Sequence, residues 1–310
     1  MSTRAPSLTP SDVVLENLKG KRFDGKNLIF EIALLLALLI SLLFLVVLLV
    51  QVFQTGLTVF QERGADFIRQ PLSSLPERAG VWQGIYGSLM MMAFVVLLAF
   101  PFGIGAAIYL EEYAPDTRFT RFININIRNL AGVPSIVYGL LGFAIFVQAL
   151  FPLTGGSSII SGGLTLAILV LPIVIITSAE AIRAVPQAIR EAGYGVGATK
   201  WEVVRSLVLP SAAPGILTGT VLSLSRALGE TAPLILVGAI TGFLATGDQS
   251  LTEALQGRFT ALPMIIFNWA RQPNADFQAL TSAAIIVLLV VILAANAVAI
   301  LLRNRYERKW

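Results

Sequence analysis

Residues 29–53 read IFEIALLLALLISLLFLVVLLVQVF, and this apolar run decides the class of the fold. A helix of about 20 residues crosses the hydrocarbon core of a membrane, which is about 30 Å thick, so the run is long enough to span it. The basic residues Lys19, Lys21, Arg22 and Lys26 precede it, as in a secretory signal peptide, but it is too long for one and no small-residue cleavage site follows. We therefore expect an uncleaved membrane span.

Composition supports a membrane protein and disfavours most enzyme classes. Of the 310 residues, 56% are hydrophobic and 13% are charged, and there is no cysteine and no histidine; the mean hydropathy is +0.80. These absences remove disulfides, thiolate metal sites, cysteine nucleophiles and the commonest general base. The net charge of +4 includes no basic tract of the size that nucleic acid needs. We expect neither catalysis nor a nucleic-acid partner.

The remaining apolar runs predict an all-α, polytopic membrane protein with six transmembrane helices. Runs of spanning length lie near 29–53, 82–110, 130–151, 159–182, 212–241 and 277–302. We expect a transmembrane domain over residues 29–302, between an N-terminal segment (1–28) and a basic tail (303–310).

The distribution of lysine and arginine predicts which way the spans face. With the N-terminus inside, interior segments hold sixteen of these residues and exterior segments hold five, while Arg226 lies within span five. Positive charge concentrates on the cytoplasmic side of membrane proteins, so both termini are expected in the cytoplasm. The expected location is the cytoplasmic (inner) membrane.

Two segments that are expected to be exterior contain no apolar run long enough to cross the membrane. Residues 54–81 have no apolar period and are expected to be loop with one short helix at most. In residues 242–276, Ser250–Glu253 fits a capping box that opens a short helix, and Leu262–Trp269 is apolar but short. We expect this second stretch to lie at the outer membrane interface.

The interior loop, residues 183–211 followed by Pro214, predicts two short helices around a glycine-rich bend. Pro186 suits the first turn of a helix that runs to about Ala192. Three glycines, Gly193, Gly195 and Gly197, then supply the bend.

The second helix of the loop should begin at a capping box, Thr199–Glu202, and end before Pro210. Its apolar residues fall on one side at spacings of three and four: Trp201, Val204, Leu207 and Val208. From the residues alone, two interpretations remain open. The loop is a tight connector that hides Trp201 against other spans, or it is a rigid element that inserts into a partner.

The same loop resembles the EAA signature of ABC importer permease subunits. The matching residues are Glu191, Ala192, Gly193, Gly197, Leu207, Leu209 and Pro210. The match departs from the signature at Gly193, where alanine is usual, and at Leu207, where isoleucine is usual.

Two further stretches narrow the resemblance to phosphate-specific permeases. These are GVPSIVYG at 132–139 and RALGETAP at 226–233, and the Thr231–Pro233 ending is similar to the PstA branch. The resemblance covers about residues 80–302.

This resemblance implies the fold of a type I ABC importer permease and a set of partners. The chain would pair with a second, homologous permease, sit on a cytoplasmic ABC ATPase dimer and receive phosphate from an exterior binding protein, within membrane lipid. The loop with Glu191, Gly197 and Trp201 would couple to the ATPase. ATP and Mg²⁺ would be bound by that partner, and no cofactor by this chain.

A near-match to a P-loop does not change this expectation. Residues 20–27 read GKRFDGKN, with Asn27 where Ser or Thr would ligate Mg²⁺. No strand precedes the segment and a membrane span follows it, so its lysines are interpreted as topology signals.

Span five carries the candidate substrate path. Arg226 lies fourteen residues after Ala212, roughly 21 Å into the predicted span. Intramembrane charges are rare and usually functional. Glu230, one turn later, is its expected partner, and Ser223 belongs to the same small and polar stripe, which should face inward: Gly219, Ser223, Arg226, Glu230 and Val237.

Pro233 cannot donate to the carbonyl of Gly229, so the helix should loosen there, which makes Gly229 and Pro233 hinge candidates. An arginine fork suits phosphate oxygens, and Glu230 would hold the arginine when the anion is absent. The alternative is a buried ion pair with only a structural role.

Other transporter classes remain open at this point. One is an ABC permease for another oxyanion, such as molybdate or sulfate. Another is a proton-coupled secondary transporter that titrates Glu230, although such a protein has no use for an EAA-like loop.

Overall fold

The computed structural model describes residues 25–241 and 250–306, and every regular element in these ranges is helical, as predicted. The described residues divide into two compact units, residues 25–51 and residues 52–241 with 250–306. The expectations for residues 20–24 of the P-loop-like segment and for residues 307–310 of the basic tail lie outside the described ranges.

The helices are numbered here in chain order. They are α1 Gly25–Arg63, α2 Asp66–Arg69, α3 Trp82–Tyr113, α4 Arg118–Ala131, α5 Ser135–Ala149, α6 Phe151–Thr154, α7 Ile159–Arg183, α8 Gln187–Gly195, α9 Lys200–Gly229, α10 Ala232–Val237, α11 Leu251–Gln256, α12 Leu262–Trp269 and α13 Ala275–Tyr306.

Five of these helices, α1, α3, α7, α9 and α13, are long and apolar enough to cross a membrane, and the pair α4 and α5 makes a sixth span if it is counted as one. The two helices of this pair are bent by 100°. Pro134 lies at the bend, where a proline disfavours helix at the preceding residue. Span three was expected to start near residue 130, and the structure starts its straight part at Ser135.

The first exterior segment is more helical than its sequence indicated. Residues 54–63, predicted as loop, continue α1, and α2 and a 3₁₀ turn at Pro76–Arg78 follow. Gly56 explains the missed helix, because a Cβ there would lie 2.6 Å from Ile286 Cδ1 of α13. This close packing stabilises a stretch whose sequence has no apolar period.

Helix α9 contradicts the predicted division of the interior loop from span five. The second loop helix was expected to end before Pro210, yet α9 runs without a break from Lys200 to Gly229. A π-helical turn, Val204–Val208, directly precedes Leu209 and Pro210. Such turns accommodate a proline that has no N–H to donate, and they are tolerated within packed membrane helices.

Helix α7 is the most buried of the candidate spans, with 67% of its most apolar stretch buried. Small residues on the neighbouring helices let them approach it closely. On Gly219 of α9, a Cβ would lie 2.4 Å from Thr177 Oγ1; on Gly142 of α5, it would lie 2.1 Å from Thr165 Oγ1. Close approach through glycine is the usual packing mode of membrane helices. Helix α7 is therefore the common support of α5 and α9.

The two short helices predicted in residues 242–276 are present, and one of them is buried within the chain. Ser250 and Glu253 form the capping box that opens α11. Leu262 and Ile265 of α12 are fully buried within the chain, and the Leu262 N–H donates to Ser88 Oγ of α3 at 3.0 Å. The expected position of this helix at the outer membrane interface stays a prediction. It packs between α3 and α13.

Candidate functional site

The bend between α8 and α9 depends on a single glycine. Gly197 has a φ of +81°, a backbone conformation that L side chains rarely adopt. Two hydrogen bonds close the turn: Gly197 N–H to Tyr194 O at 3.0 Å and Ala198 N–H to Gly193 O at 3.2 Å. Helix α8 was expected to stop near Ala192, but it continues to Gly195, so of the three predicted bend glycines only Gly197 makes the turn.

Gly193 has a packing role instead. It is buried between the two loop helices, and a Cβ at this position would lie 2.7 Å from Val203 Cγ2 and 2.8 Å from Leu207 Cδ1. The glycine that replaces the usual alanine of the EAA signature therefore brings α8 and α9 into direct contact.

The start of α9 matches the prediction, with one exception that bears on function. The Thr199 N–H donates to Glu202 Oε2 at 2.8 Å, which completes the capping box. Val204 and Val208 are fully buried, as their spacing predicted. Trp201, which a simple connector would hide, is 54% exposed.

The loop ends in an apolar tip made of three exposed side chains, Tyr194, Val196 and Trp201, which we call the loop tip. Their exposed fractions are 42%, 85% and 54%. Glu191 and Ala192 of the signature are exposed beside them. Contiguous exposed apolar side chains mark interaction sites in soluble segments. Sequence reasoning did not single out Tyr194 or Val196, because neither belongs to a periodic apolar face.

The base of the loop is held by a buried ion pair that the sequence did not reveal. Arg190 of α8 contacts Glu112 at the end of α3, with Nη2 to Oε1 at 2.7 Å and side chains only 13% and 5% exposed. The same guanidinium donates to Ile182 O at 3.0 Å and to Val185 O at 2.7 Å, carbonyls at the end of α7 and just after it. One side chain thus ties α3, α7 and α8 together.

Both neighbours of Glu112 also contact basic residues of the loop. Glu111 accepts from Arg183 Nε at 3.1 Å, and the Lys200 ammonium lies 5.1 Å from the ring centroid of Tyr113. The three residues of this anchor, Glu111–Tyr113, therefore contact the end of α7, the middle of α8 and the start of α9. The pairs are separated by more than 70 residues, so no local pattern indicates them.

The predicted contact between Arg226 and Glu230 is present near the end of α9. Arg226 Nε donates to Glu230 Oε1 at 3.2 Å, and the side chains are 47% and 18% exposed. The pair is therefore not sealed inside this chain.

The predicted inward stripe divides into two faces. Gly219, Ser223 and Val237 are buried; Ser223 is 0% exposed and donates to Gly219 O at 2.8 Å. Arg226 lies instead on an exposed face of α9 with residues spaced three and four apart: Thr218, Leu222, Arg226 and Gly229. Ser223 was expected beside the path. Its hydroxyl is buried, however, and does not reach the exposed face of α9 that carries Arg226.

The predicted loosening before Pro233 is a complete break. Helix α9 ends at Gly229, Glu230 is extended with φ −77° and ψ 119°, and α10 begins at Ala232. Pro233 packs on α5, where a Cβ on Gly139 would lie 2.7 Å from its Cα. Glu230 thus lies in the break between two helices, and its N–H donates to Ala227 O at 3.4 Å as the last bond of α9.

Removing the charge of Glu112, whose partner is buried, should destabilise the protein far more than removing the charge of Glu111, whose partner is exposed. Glu112→Gln leaves Arg190 without its counter-charge and should cost about 3–5 kcal/mol of unfolding free energy. The matched variant Glu111→Gln should cost below about 1 kcal/mol, because Arg183 is 57% exposed. Thermal unfolding in detergent measures both, and equal shifts in the midpoint would contradict the assignment of Arg190 as the main support.

Comparison with known proteins agrees with this geometry. Residues 99–309 match the family described as "Binding-protein-dependent transport system inner membrane component". The chain is 35% identical over 234 residues to the phosphate transport system permease protein PstA 1 of Mycobacterium tuberculosis (strain CDC 1551 / Oshkosh), which covers 74% of this chain and 73% of the relative. It is 31% identical over 245 residues to PstA of Xylella fastidiosa (strain 9a5c), with 78% and 82% covered.

The fold is shared with a crystallised bacterial ABC transporter involved in the import of the acidic polysaccharide alginate. The TM-score is 0.63 at 15% identity, over 92% of this chain and 98% of the other. The similarity confirms the expected permease fold. The chain belongs to the family of binding-protein-dependent transport system inner membrane components, and it is a membrane permease subunit of an ABC transporter rather than an enzyme.

Proposed function

We propose that this chain is one of two permease subunits of an ATP-driven importer of inorganic phosphate in the cytoplasmic membrane. The PstA relatives bear the name of phosphate transport permeases, and they cover more than two thirds of this chain. The second permease, a cytoplasmic ABC ATPase dimer that binds ATP and Mg²⁺, and an exterior phosphate-binding protein complete the transporter. The charge distribution supports a cytoplasmic position for both termini and for the α7–α9 loop.

The observation that carries this proposal is the loop tip on its anchored base. Three apolar side chains project from a loop whose base is fixed by a buried ion pair. If the loop tip enters a groove of the partner, the burial of its apolar surface stabilises the complex. The anchor holds the base of the loop in place, so that the loop moves with the partner instead of bending. A connector between two spans needs neither feature. The loop therefore suits force transmission from the ATPase.

Phosphate would pass along the surface of α9 rather than through the interior of this chain. A cavity beside Leu166, Ala227 and Leu234 has a volume of about 10 Å³, which is room for one water at most. A larger pocket of about 410 Å³ beside Phe60 and Val290 is lined by apolar side chains alone and does not suit an anion. Arg226, by contrast, is half exposed on the face with Leu222 and Gly229. The path then lies between this face and the second permease.

Within that path Arg226 attracts the anion and Glu230 keeps it from binding too tightly. The guanidinium stays charged at all physiological pH values and offers a planar fork to two oxygens. The carboxylate already pairs with it at 3.2 Å, so the anion must compete for the arginine and can leave it again. The contact geometry suits any tetrahedral oxyanion; the named relatives favour phosphate over molybdate or sulfate.

Disrupting the bend should uncouple transport from ATP hydrolysis. Gly197→Val places a β-branched residue at a φ of +81°, at a cost of about 1–2 kcal/mol, and should shift the loop tip. We expect ATPase binding and phosphate uptake in membrane vesicles to fall together. Gly195→Val is the matched control, because Gly195 is helical and no atom from beyond its chain neighbours and its own helix backbone lies within 4 Å of its Cβ position. Normal uptake by a well-inserted Gly197→Val protein would show that the loop is only a connector.

Replacing the charged pair separates a role in the path from a structural one. Arg226→Gln should insert and assemble but lose most phosphate uptake, because the amide keeps hydrogen bonding and loses the charge. The double variant Arg226→Gln with Glu230→Gln leaves no unpaired charge and should regain any lost stability without regaining transport. Arg69→Gln, which removes an exposed arginine of α2, controls for the loss of charge alone. Radiolabelled phosphate uptake at matched protein levels is the measurement, and restored uptake in the double variant would contradict a role in the path.

A further inference from the structure

Helix α4, Arg118–Ala131, has an apolar face that nothing in the described chain covers. Phe119, Phe122 and Leu130 are 70%, 61% and 47% exposed, although the helix is flanked by well-packed elements. Phe119 and Leu130 are eleven residues apart, which brings them back to nearly the same side at 3.6 residues per turn. We call these three residues the α4 apolar face.

The helix contacts the rest of the chain with a different side. Asn124 and Ile127 line a small cleft against Ile176 and Ala179 of α7. Five and eight positions separate them from Phe119, so they lie about 80–140° away from it around the helix. The apolar face is therefore not the packing face, and it remains free while α4 is held against α7.

The bend at Pro134 sets the direction of the helix. Helix α5 follows α4 at an angle of 100°, and α5 carries most of the apolar run at 130–151 that predicts span three. A helix roughly perpendicular to a membrane-crossing helix lies roughly parallel to the membrane surface. Together with an apolar and a charged side, this direction is typical of interfacial helices.

The charged side carries arginine that is open to a partner. Arg121 lies two positions from Phe119 and hence about 200° away from it. Its ion pair with Asp116, 3.2 Å long, is 66% and 87% exposed, so an anion can readily replace the aspartate. Arg118 is exposed as well and lies about 60° from Arg121, on the side toward Phe122, with the exposed Ile125 between the two arginines. By the charge distribution this segment is cytoplasmic, and that leaflet is rich in anionic lipid.

We propose that α4 lies in the cytoplasmic surface of the membrane, with its apolar face among the acyl chains and with Arg118 and Arg121 on anionic lipid headgroups. The site is built from the exposed face, the perpendicular direction and the complementary charge, and it lies apart from the loop tip and from Arg226. It goes beyond phosphate import, but it relies on the proposed orientation of the spans. The contact of α4 with lipid would hold the bend before the third span at the membrane surface.

Spin labelling tests this assignment in the assembled transporter. The chain has no cysteine, so Phe119→Cys and Arg121→Cys each accept one label once the partner subunits are also cysteine-free. The complex is reconstituted in bilayers that contain phosphatidylglycerol. The label at 119 should be relaxed by oxygen and not by the neutral, water-soluble nickel complex NiEDDA, and the control label at 121 should be relaxed by nickel.

Other occupants of the face give different results. Strong nickel relaxation at 119 would mean that the face meets water, and protection from both agents would mean that the second permease covers it; each overturns the proposal. In anionic bilayers, replacing Arg118 and Arg121 by glutamine should shift the label at 119 from lipid to water. For each arginine removed, the population of label in lipid relative to that in water should fall by about fivefold. An unchanged ratio would overturn the headgroup contact. Phosphate uptake by the labelled transporter reports on the proposed function separately.

Discussion

The buried ion pair between Arg190 and Glu112 is the interaction on which the end of the protein with the α7–α9 loop depends. Either charge alone would be costly in a site where the side chains are only 13% and 5% exposed. Helix α8 must therefore sit where its arginine meets the end of α3. The same guanidinium also donates to Ile182 O, which at the end of α7 accepts from Val185 N–H as well, and to Val185 O just beyond that end. The position of the loop is thus fixed by charge and by backbone hydrogen bonding at once.

The continuous helix α9 gives this anchored loop a mechanical connection to the charged pair. Lys200 contacts the anchor at one end of α9, and Arg226 lies in the last turn at the other. A helix of 30 residues is about 45 Å long and transmits displacement along its axis. The break at Glu230 then lets α10 stay packed on α5 while α9 moves. Motion at the loop tip would in this way reach the path that phosphate is proposed to take.

Local sequence signals predicted the parts of this arrangement that local physics determines. The apolar runs identified the spans, the Thr199–Glu202 and Ser250–Glu253 capping boxes identified two helix starts, and the four-residue spacing predicted the contact of Arg226 with Glu230. Long-range contacts decided the rest. The anchor pairs residues more than 70 positions apart.

Tertiary packing also overrode two local expectations. Pro210 was expected to end a helix, but the π-helical turn before it lets α9 continue. Ser223 and Arg226 were assigned to one stripe, but contact with Thr177 of α7 buries the side with Gly219 and Ser223 and leaves Arg226 exposed. A stripe on a helix predicts which residues share a side; the neighbouring helix decides which part of that side is covered.

The central claim is that the loop moves as one body with the end of α3. Spin labels at Val196 in the loop tip and at Tyr109 near the anchor test it most directly, since both positions are exposed and the chain has no other thiol. The distance distribution between the labels should be measured by pulsed electron paramagnetic resonance in the assembled transporter, without nucleotide and with ATP bound. The account predicts the same mean distance in both states, and a shift of that mean on binding ATP would contradict it.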